Sequence, residues 1–264
     1  MWICLLAMSA SHIAGAYLAR KLQPCSQPSC RPISQLPFIS KVLERVVTNR
    51  IRPHLEEYHL FDKYQSAYRE AHSTETALLR VHHDITSALD KGSTVALVML
   101  DQSAAFDVID HDILLQRLEF AFGISGRALK WFGSYLQDRS QCVCVGKDVS
   151  KTLPVVCGVP QGSVLGPLLY TMYTKSIGEI CRRHNVLYHC YADDIQLYCA
   201  AEGSEENSYN VMVSFAFFVF VRHTAHCFLL WVSCMLYVVK KHCPEQAHLN
   251  RWAKSRLIEN QQKI

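Results

Sequence analysis

A mixed α/β fold with a mainly helical first half is what the residue pattern predicts, and three observations carry it. Residues 33–83 read as helix with breaks, residues 94–100 are a short unbroken apolar run, and residues 186–199 are two apolar and aromatic runs flanking Ala192-Asp193-Asp194. Within the first stretch, Val42, Leu43, Val46 and Val47 fall on one helical face, with Lys41, Glu44 and Arg45 elsewhere. Pro53 either interrupts this helix or starts the next. Ser73-Thr-Glu-Thr76 is a helix start, with Ala77, Leu78, Val81 and Ile85 as the buried stripe and an end near Gly92.

The run Thr94-Val-Ala-Leu-Val-Met-Leu100 leads straight into Asp101, which predicts a strand buried on both faces with a carboxylate at its carboxyl end. Asp110, His111 and Asp112 open a helix through Ile113, Leu114, Leu118 and Phe122, closed by Gly123. Residues 127–136 form another, carrying Leu129, Trp131, Phe132 and Tyr135. Residues 141–145 alternate like a strand before a Gly146-Lys-Asp148 turn. A Gly- and Pro-punctuated stretch, residues 158–167, leads into an apolar helix over 168–177, and residues 186–199 read as a hairpin with two acids at its tip.

Composition narrows the function classes. The chain has 264 residues, half of them apolar and 19% charged, which excludes a disordered chain or a coiled coil and suits one or two domains. The formal net charge of +4 does not by itself mark a nucleic-acid binder. Its distribution says more: residues 1–80 carry 10 basic against 6 acidic side chains, residues 81–210 carry 10 against 15, and residues 211–264 carry 7 against 2. A basic segment leading into an acidic centre suits a polyanion held beside a metal site. No two of the 12 cysteines have the two-residue gap of zinc knuckles, and they read as small buried thiols in a reducing compartment. Nor do His82-His83, His111 and His189 have zinc-ligand spacing.

The ends differ in character from the centre. Residues 1–18 are mostly apolar with Arg20 and Lys21 after them, the reverse of a secretory signal; a stray leader is the preferred reading, with a signal or anchor as the alternative. Residues 23–32, with three prolines and two cysteines, read as a linker. Residues 211–221 and 227–239 are apolar runs of 11 and 13 residues, each short of the roughly 20 that span a bilayer, and merging them puts Arg222 near the middle.

Asp101, Asp193 and Asp194 are the chemistry-bearing residues. If the strand and the hairpin are neighbours in one sheet, three carboxylates converge with no Lys or Arg in the same motifs, and a hard divalent cation relieves their repulsion. A polar turn at Asp193-Asp194 and a helix cap at Asp101 is the bland reading of either piece taken alone.

Six stretches together resemble one family. Tyr191-Ala-Asp-Asp194, Leu100-Asp-Gln-Ser-Ala-Ala-Phe-Asp107 and Gly158-Val-Pro-Gln-Gly-Ser-Val-Leu-Gly-Pro167 are similar to the three palm motifs of reverse transcriptases, in the flavour of non-LTR (long interspersed element type) retrotransposons. Arg31-Pro-Ile-Ser34, Phe38-Ile-Ser-Lys-Val-Leu-Glu-Arg45 and Gln65-Ser-Ala-Tyr-Arg69 resemble the fingers motifs. The resemblance covers residues 31–199. It implies an α+β right-hand polymerase-like fold, with fingers and an antiparallel palm sheet backed by helices over 31–200, a leader or linker over 1–30, and a non-matching apolar and basic tail over 201–264 with the thumb absent.

The resemblance also assigns roles. Asp101, Asp193 and Asp194 would be the catalytic carboxylates, with Asp101 and Asp193 bridging two magnesium ions, Asp194 less directly bound, and the Gln102 backbone carbonyl a further ligand; manganese is an alternative ion. Phe106 would lie under the incoming sugar and exclude a 2′-hydroxyl. Gln161 and Gly162 would let the backbone approach nucleotide and template, and Arg31 would meet the triphosphate. Arg45, Arg50, Arg52 and Arg69 would contact template phosphates, which position a nucleic acid without reading it. The implied partners are an RNA template, a DNA primer and deoxynucleoside triphosphates, and the implied reaction is primer 3′-hydroxyl attack on the α-phosphorus.

Residues 201–264 depart from the family's pattern, so the expected protein is a truncated retrotransposon relic with weak or no activity, resident in nucleus or cytoplasm. Two other classes stay open: a catalytically dead nucleic-acid-binding remnant, and a small membrane-anchored protein built on residues 211–239.

Overall fold

In a computed structural model of the chain, residues 33–102, 104–145, 147–201 and 232–239 are described; for Asp101, Val145, Ala201 and residues 232–239 the description covers the backbone alone. Expectations for residues 1–32, including Arg31, and for most of the tail lie outside the described residues. The described chain divides into two compact units, residues 33–61 with 104–173, and residues 62–103 with 174–201 and 232–239. The chain crosses between them three times, the last time within one helix.

In the first unit, α1 (Phe38–Glu57) runs unbroken through Pro53, so the expected interruption does not occur. Proline forgoes one hydrogen bond and its fixed φ suits a helix. The end of α1 is held from outside: Leu55 is fully buried, and His54 Nε2 lies 3.0 Å from the Phe122 carbonyl. The inward face of α1 is also a correction, because it consists of Ser40, Glu44, Val47 and Leu55, while Val42 and Val46 are 44% and 46% exposed.

The second unit then contributes α2 (Thr74–Asp90) and β1 (Thr94–Gln102). A reciprocal cap starts α2: Ser73 Oγ accepts from Thr76 N–H at 3.2 Å, and Thr76 Oγ1 accepts from Ser73 N–H at 2.9 Å. Ala77, Val81, Ile85 and Leu89 are its buried stripe. Back in the first unit come α3 (His111–Phe120), capped by Asp110 Oδ1 on Ile113 N–H at 2.9 Å, and α4 (Gly126–Leu136). The expected strand over 141–145 is split into β2 (Ser140–Gln141) and β3 (Cys144–Val145), which pair with β5 (Leu153–Pro154) and β4 (Asp148–Val149) respectively as two short ribbons. Core residues Leu55, Leu114, Leu118, Phe132 and Leu169 pack together in this unit. Among the described residues the cysteines are free thiols.

Helix α5 (Gly166–Arg183) begins in the first unit and ends in the second, longer than the expected 168–177. After it come β6 (Leu187–Tyr191), β7 (Asp194–Ala201) and β8 (Val232–Val239). The second unit's sheet is antiparallel, in the order β6-β7-β1-β8. Its central strand is buried on both faces, as an unbroken apolar run requires. Ala96, Val98 and Leu100 meet Ile177, Ile180 and Cys181 of α5, while Val95, Leu97 and Met99 meet Val81, Ile85 and Leu89 of α2. Residues 232–239, part of the run considered for a membrane segment, are a strand of this sheet, and no helix among the described residues is long and apolar enough to cross a membrane.

Candidate catalytic carboxylates and the polymerase motifs

The apolar run that buries β1 stops at Leu100, and the strand continues through Asp101 and Gln102. Antiparallel pairing then fixes what lies opposite. Asp101 is the Cα partner of Asp194 in β7 and of Ser233 in β8. Directly opposed residues in such a ladder have Cα atoms about 4.5–5.5 Å apart. Tyr191 pairs with Asp194 across the hairpin, leaving Ala192 and Asp193 as a two-residue turn. Ala192 sits at φ 54°, the left-handed region that two-residue hairpin turns use at their first position. The backbone therefore brings Asp101, Asp193 and Asp194 to one end of the sheet, as a strand beside a hairpin suggested. Like charges directly opposite each other are destabilising in a sheet. An all-carboxylate oxygen donor set with a neighbouring backbone carbonyl, that of Gln102, fits magnesium or manganese in chemistry. Among the described side chains, which leave out that of Asp101, no three His, Cys, Asp or Glu groups converge.

Residues 62–69, which include the Gln65–Arg69 stretch read from sequence as a fingers motif, belong to the same unit as the hairpin. Cys190 N–H donates to the Tyr64 carbonyl at 2.8 Å and Ser66 N–H donates to the Cys190 carbonyl at 2.9 Å, so this segment lies parallel along β6 and covers its edge. The Asp62 carboxylate accepts from Tyr188 Oη at 2.9 Å, Arg182 at 3.0 Å and Tyr64 N–H at 2.9 Å. A Cβ on Gly178 of α5 would collide with that carboxylate and with the Tyr188 hydroxyl, so glycine is needed for the approach. Ser66 Oγ shares a 2.9 Å hydrogen bond with His189 Nε2, and burial, first, then Arg80 hold His189 down to about 4. The Tyr68 phenol is pushed up to about 12, by burial first and then by Asp193 and Tyr191. Buried Gln65 accepts at Oε1 from Ala192 N–H at 3.1 Å and from Ala67 N–H at 3.0 Å, and its Nε2 donates to the Ala192 carbonyl at 3.4 Å. Arg69 Nη1 donates to the Asp62 and Gln65 carbonyls at 3.1 and 3.3 Å, so it serves its own loop.

The first unit holds the other motif residues. Phe106 stacks on Tyr170 with centroids 5.3 Å apart. Val159 N–H donates to the Phe106 carbonyl and Gly158 N–H to the Ile109 carbonyl, each at 2.7 Å, while His111 Nε2 lies 2.8 Å from the Gly158 carbonyl. These bonds bring the end of the Leu100–Asp107 motif and the residues just after it against the Gly158–Pro167 motif. Glycine is required at 158: φ is +90°, and a Cβ would lie 2.8 Å from the Asp107 carbonyl oxygen. Gln161 Nε2 donates to Asp107 Oδ2 at 3.4 Å, and burial raises the Asp107 carboxyl above the ordinary range despite that bond. Gly162, at φ +91°, is exposed, and the Gln161 carbonyl accepts from Ser34 N–H at 2.9 Å. Arg45 and Arg50 are exposed on α1, and Arg52 pairs with Glu56 at 3.9 Å.

Glu44 is the residue the amphipathic reading missed. It is 1% exposed, and its Oε2 accepts from Val164 N–H at 2.6 Å and Leu165 N–H at 3.2 Å, while Oε1 accepts from Ser40 Oγ at 3.0 Å. A carboxylate here satisfies the free amides ahead of α5 and sits at the positive end of the helix dipole. Its sequence signal was Ser40 four residues earlier, a spacing that lets two polar groups meet on one helical face. Gln65, four residues before Arg69, had no such local signal.

An antiparallel sheet with an aspartate on its central strand opposite a Tyr-Ala-Asp-Asp hairpin defines a polymerase-palm class of fold. The family described as "Reverse transcriptase (RNA-dependent DNA polymerase)" matches residues 21–219, and the chain belongs to it. Its relatives place it with the non-LTR type. It is 34% identical over 180 residues to the "Probable RNA-directed DNA polymerase from transposon BS" of Drosophila melanogaster, covering 65% of this chain and 19% of that protein. It is 34% identical over 178 residues to the "RNA-directed DNA polymerase from mobile element jockey" of Drosophila funebris, covering 66% and 19%. The chain thus spans about a fifth of the length of these relatives. Among solved structures, telomerase from Candida albicans in complex with a TWJ fragment of telomeric RNA superposes at a TM-score of 0.58 and 12% identity, covering 92% of this chain and 45% of that one. Apo telomerase from Candida tropicalis, truncated from its C-terminal domain, gives 0.54 at 12%, covering 76% and 41%. At these identities the likeness concerns the fold alone.

Proposed function

We propose that this chain is a reverse transcriptase domain performing nucleotidyl transfer, with an RNA template, a DNA primer and deoxynucleoside triphosphates as its partners. The observation that carries the reading is the register placing Asp101 opposite Asp194, one residue from Asp193. Asp101, Asp193 and Asp194, with the Gln102 carbonyl, would hold the divalent cations. When bound, such ions supply charge stabilisation to the attacking and leaving oxygens of an in-line phosphoryl transfer. The protein's own share is positioning. Phe106, braced by Tyr170, excludes a ribose 2′-hydroxyl, and the exposed Gly162 with Gln161 admits the nucleotide and template backbone. Arg31 takes the triphosphate. Arg45 and Arg50 present charge to the template, and Arg69 joins them by exchanging its loop carbonyls for a phosphate. Residues 31–200 carry fingers and palm in this reading.

The test is incorporation of labelled dTTP on poly(rA) primed with oligo(dT), in magnesium and in manganese. Weak incorporation is expected, with at least about a hundredfold loss in Asp193→Ala, since removing the electrostatic partner of a transition state costs that much. No incorporation with either ion, or incorporation indifferent to Asp193→Ala, overturns the proposal.

A further inference from the structure

We propose that Gln65 is a positioning residue for Asp193 and Asp194, locking the Ala192 peptide so that the hairpin tip presents its carboxylates to a divalent cation. The proposal deepens the polymerase reading above and rests on it.

Ala192 is a non-glycine residue at φ 54°, a conformation that costs roughly 1–2 kcal/mol for an L-residue. Something must hold it there, and the Gln65 amide meets both polar groups of that residue, its N–H at 3.1 Å and its carbonyl at 3.4 Å. The same Oε1 accepts the Ala67 N–H at 3.0 Å, which fixes the amide's own orientation. Gln65 is 5% exposed, so water does not compete for these bonds.

The base of this clamp is itself tied down by hydrogen bonds. Residues on either side of Gln65 are bonded to the Cys190 backbone, and Asp62 is tied to Tyr188 and Arg182. Asp193 and Asp194 come directly after Ala192, so a rotation about the Ala192 backbone swings both carboxylates relative to β1. Groups that orient metal ligands without touching the metal control affinity by about tenfold to a hundredfold.

A merely structural Gln65 would stitch residues 62–69 to β6, the task that Ser66 performs through His189. The two roles separate experimentally. Binding of Mn²⁺ to the full chain is measured by electron paramagnetic resonance of the free ion, beside the thermal unfolding midpoint, for wild type, Asp193→Asn, Gln65→Met and Ser66→Ala. The wild type is expected to bind and Asp193→Asn to lose binding. Gln65→Met should bind about tenfold more weakly or worse, and Ser66→Ala should unfold earlier with unchanged affinity. Where Gln65→Met does not fold, Gln65→Asn, whose amide is one methylene too short to reach Ala192, is expected to show the same loss. Wild-type affinity in a folded Gln65 variant overturns the proposal, as does an equal loss in Ser66→Ala, which would mark general loosening. No binding by the wild type, or binding indifferent to Asp193→Asn, overturns the polymerase reading itself and this proposal with it.

Discussion

Helices α1 and α2 are of similar length, 20 and 17 residues, and each covers part of its own unit's core, yet they bury different chemistry. The inward stripe of α2 is wholly apolar and packs on Val95, Leu97 and Met99 of β1 and on the ring of Tyr198 in β7, whose hydroxyl donates to Asp84 at the flank of α2 at 2.7 Å. The inward face of α1 includes Ser40 and Glu44, because what it must meet ahead of α5 is a pair of backbone N–H groups rather than a hydrocarbon surface. Phe38, Ile39, Val42 and Val46 are left facing outward as a consequence. Apolar periodicity therefore reports the buried face only where the surface opposite is itself apolar.

The contrast can be broken from the α1 side with the largest effect. Glu44→Ala leaves the Val164 and Leu165 amides without their acceptor, and urea unfolding should show a loss of about 3 kcal/mol, since bonds to a charged acceptor contribute about 1.5–3 kcal/mol each. A loss below about 1 kcal/mol would mean that solvent replaces the carboxylate and that the contrast with α2 is superficial. A matched pair sharpens the point at intermediate size. Val81→Ala in α2 should cost about 2 kcal/mol from lost burial and an unfilled space, whereas Val42→Ala in α1 should stay within about 0.5 kcal/mol. Equal costs in the two helices would show that Val42 is covered after all. The smallest effect belongs to the start of α2: Ser73→Ala removes one half of the reciprocal cap and should cost about 1 kcal/mol. No change in the unfolding midpoint would imply that tertiary packing alone sets that end.

Local signals made much of this architecture readable. The unbroken run ending in Asp101, the Ala192-Asp193 turn between apolar segments and the cap at Ser73 each depend on neighbours within a few residues, so the strand, the hairpin and α2 were legible. Six short motifs in a family order extended that to the palm. Three features were not legible, for a common reason. Glu44 acts on residues 120 positions away, Gln65 on one 127 positions away, and β8 joins β1 from the far end of the chain. Ser40 marks Glu44 as one of a polar pair on a helical face, but nothing local announces the distant partner in any of the three. Pro53 is a milder case: its local rule predicted a break, and burial of Leu55 beside it prevailed. The interleaving of two units along the chain likewise has no compositional mark.

The sheet order has a consequence for how the site comes into being. Asp101 and Asp194 are separated by roughly ninety residues of chain, and closing a loop of that length costs entropy that must be offset by contacts formed elsewhere first. During synthesis the central strand emerges from the ribosome long before either neighbouring strand, with both its edges and both its apolar faces waiting. Until α5 arrives, α2 is the only described helix already made to shelter it, and a nascent chain stalled before residue 190 would possess one aspartate of the three and no hairpin at all.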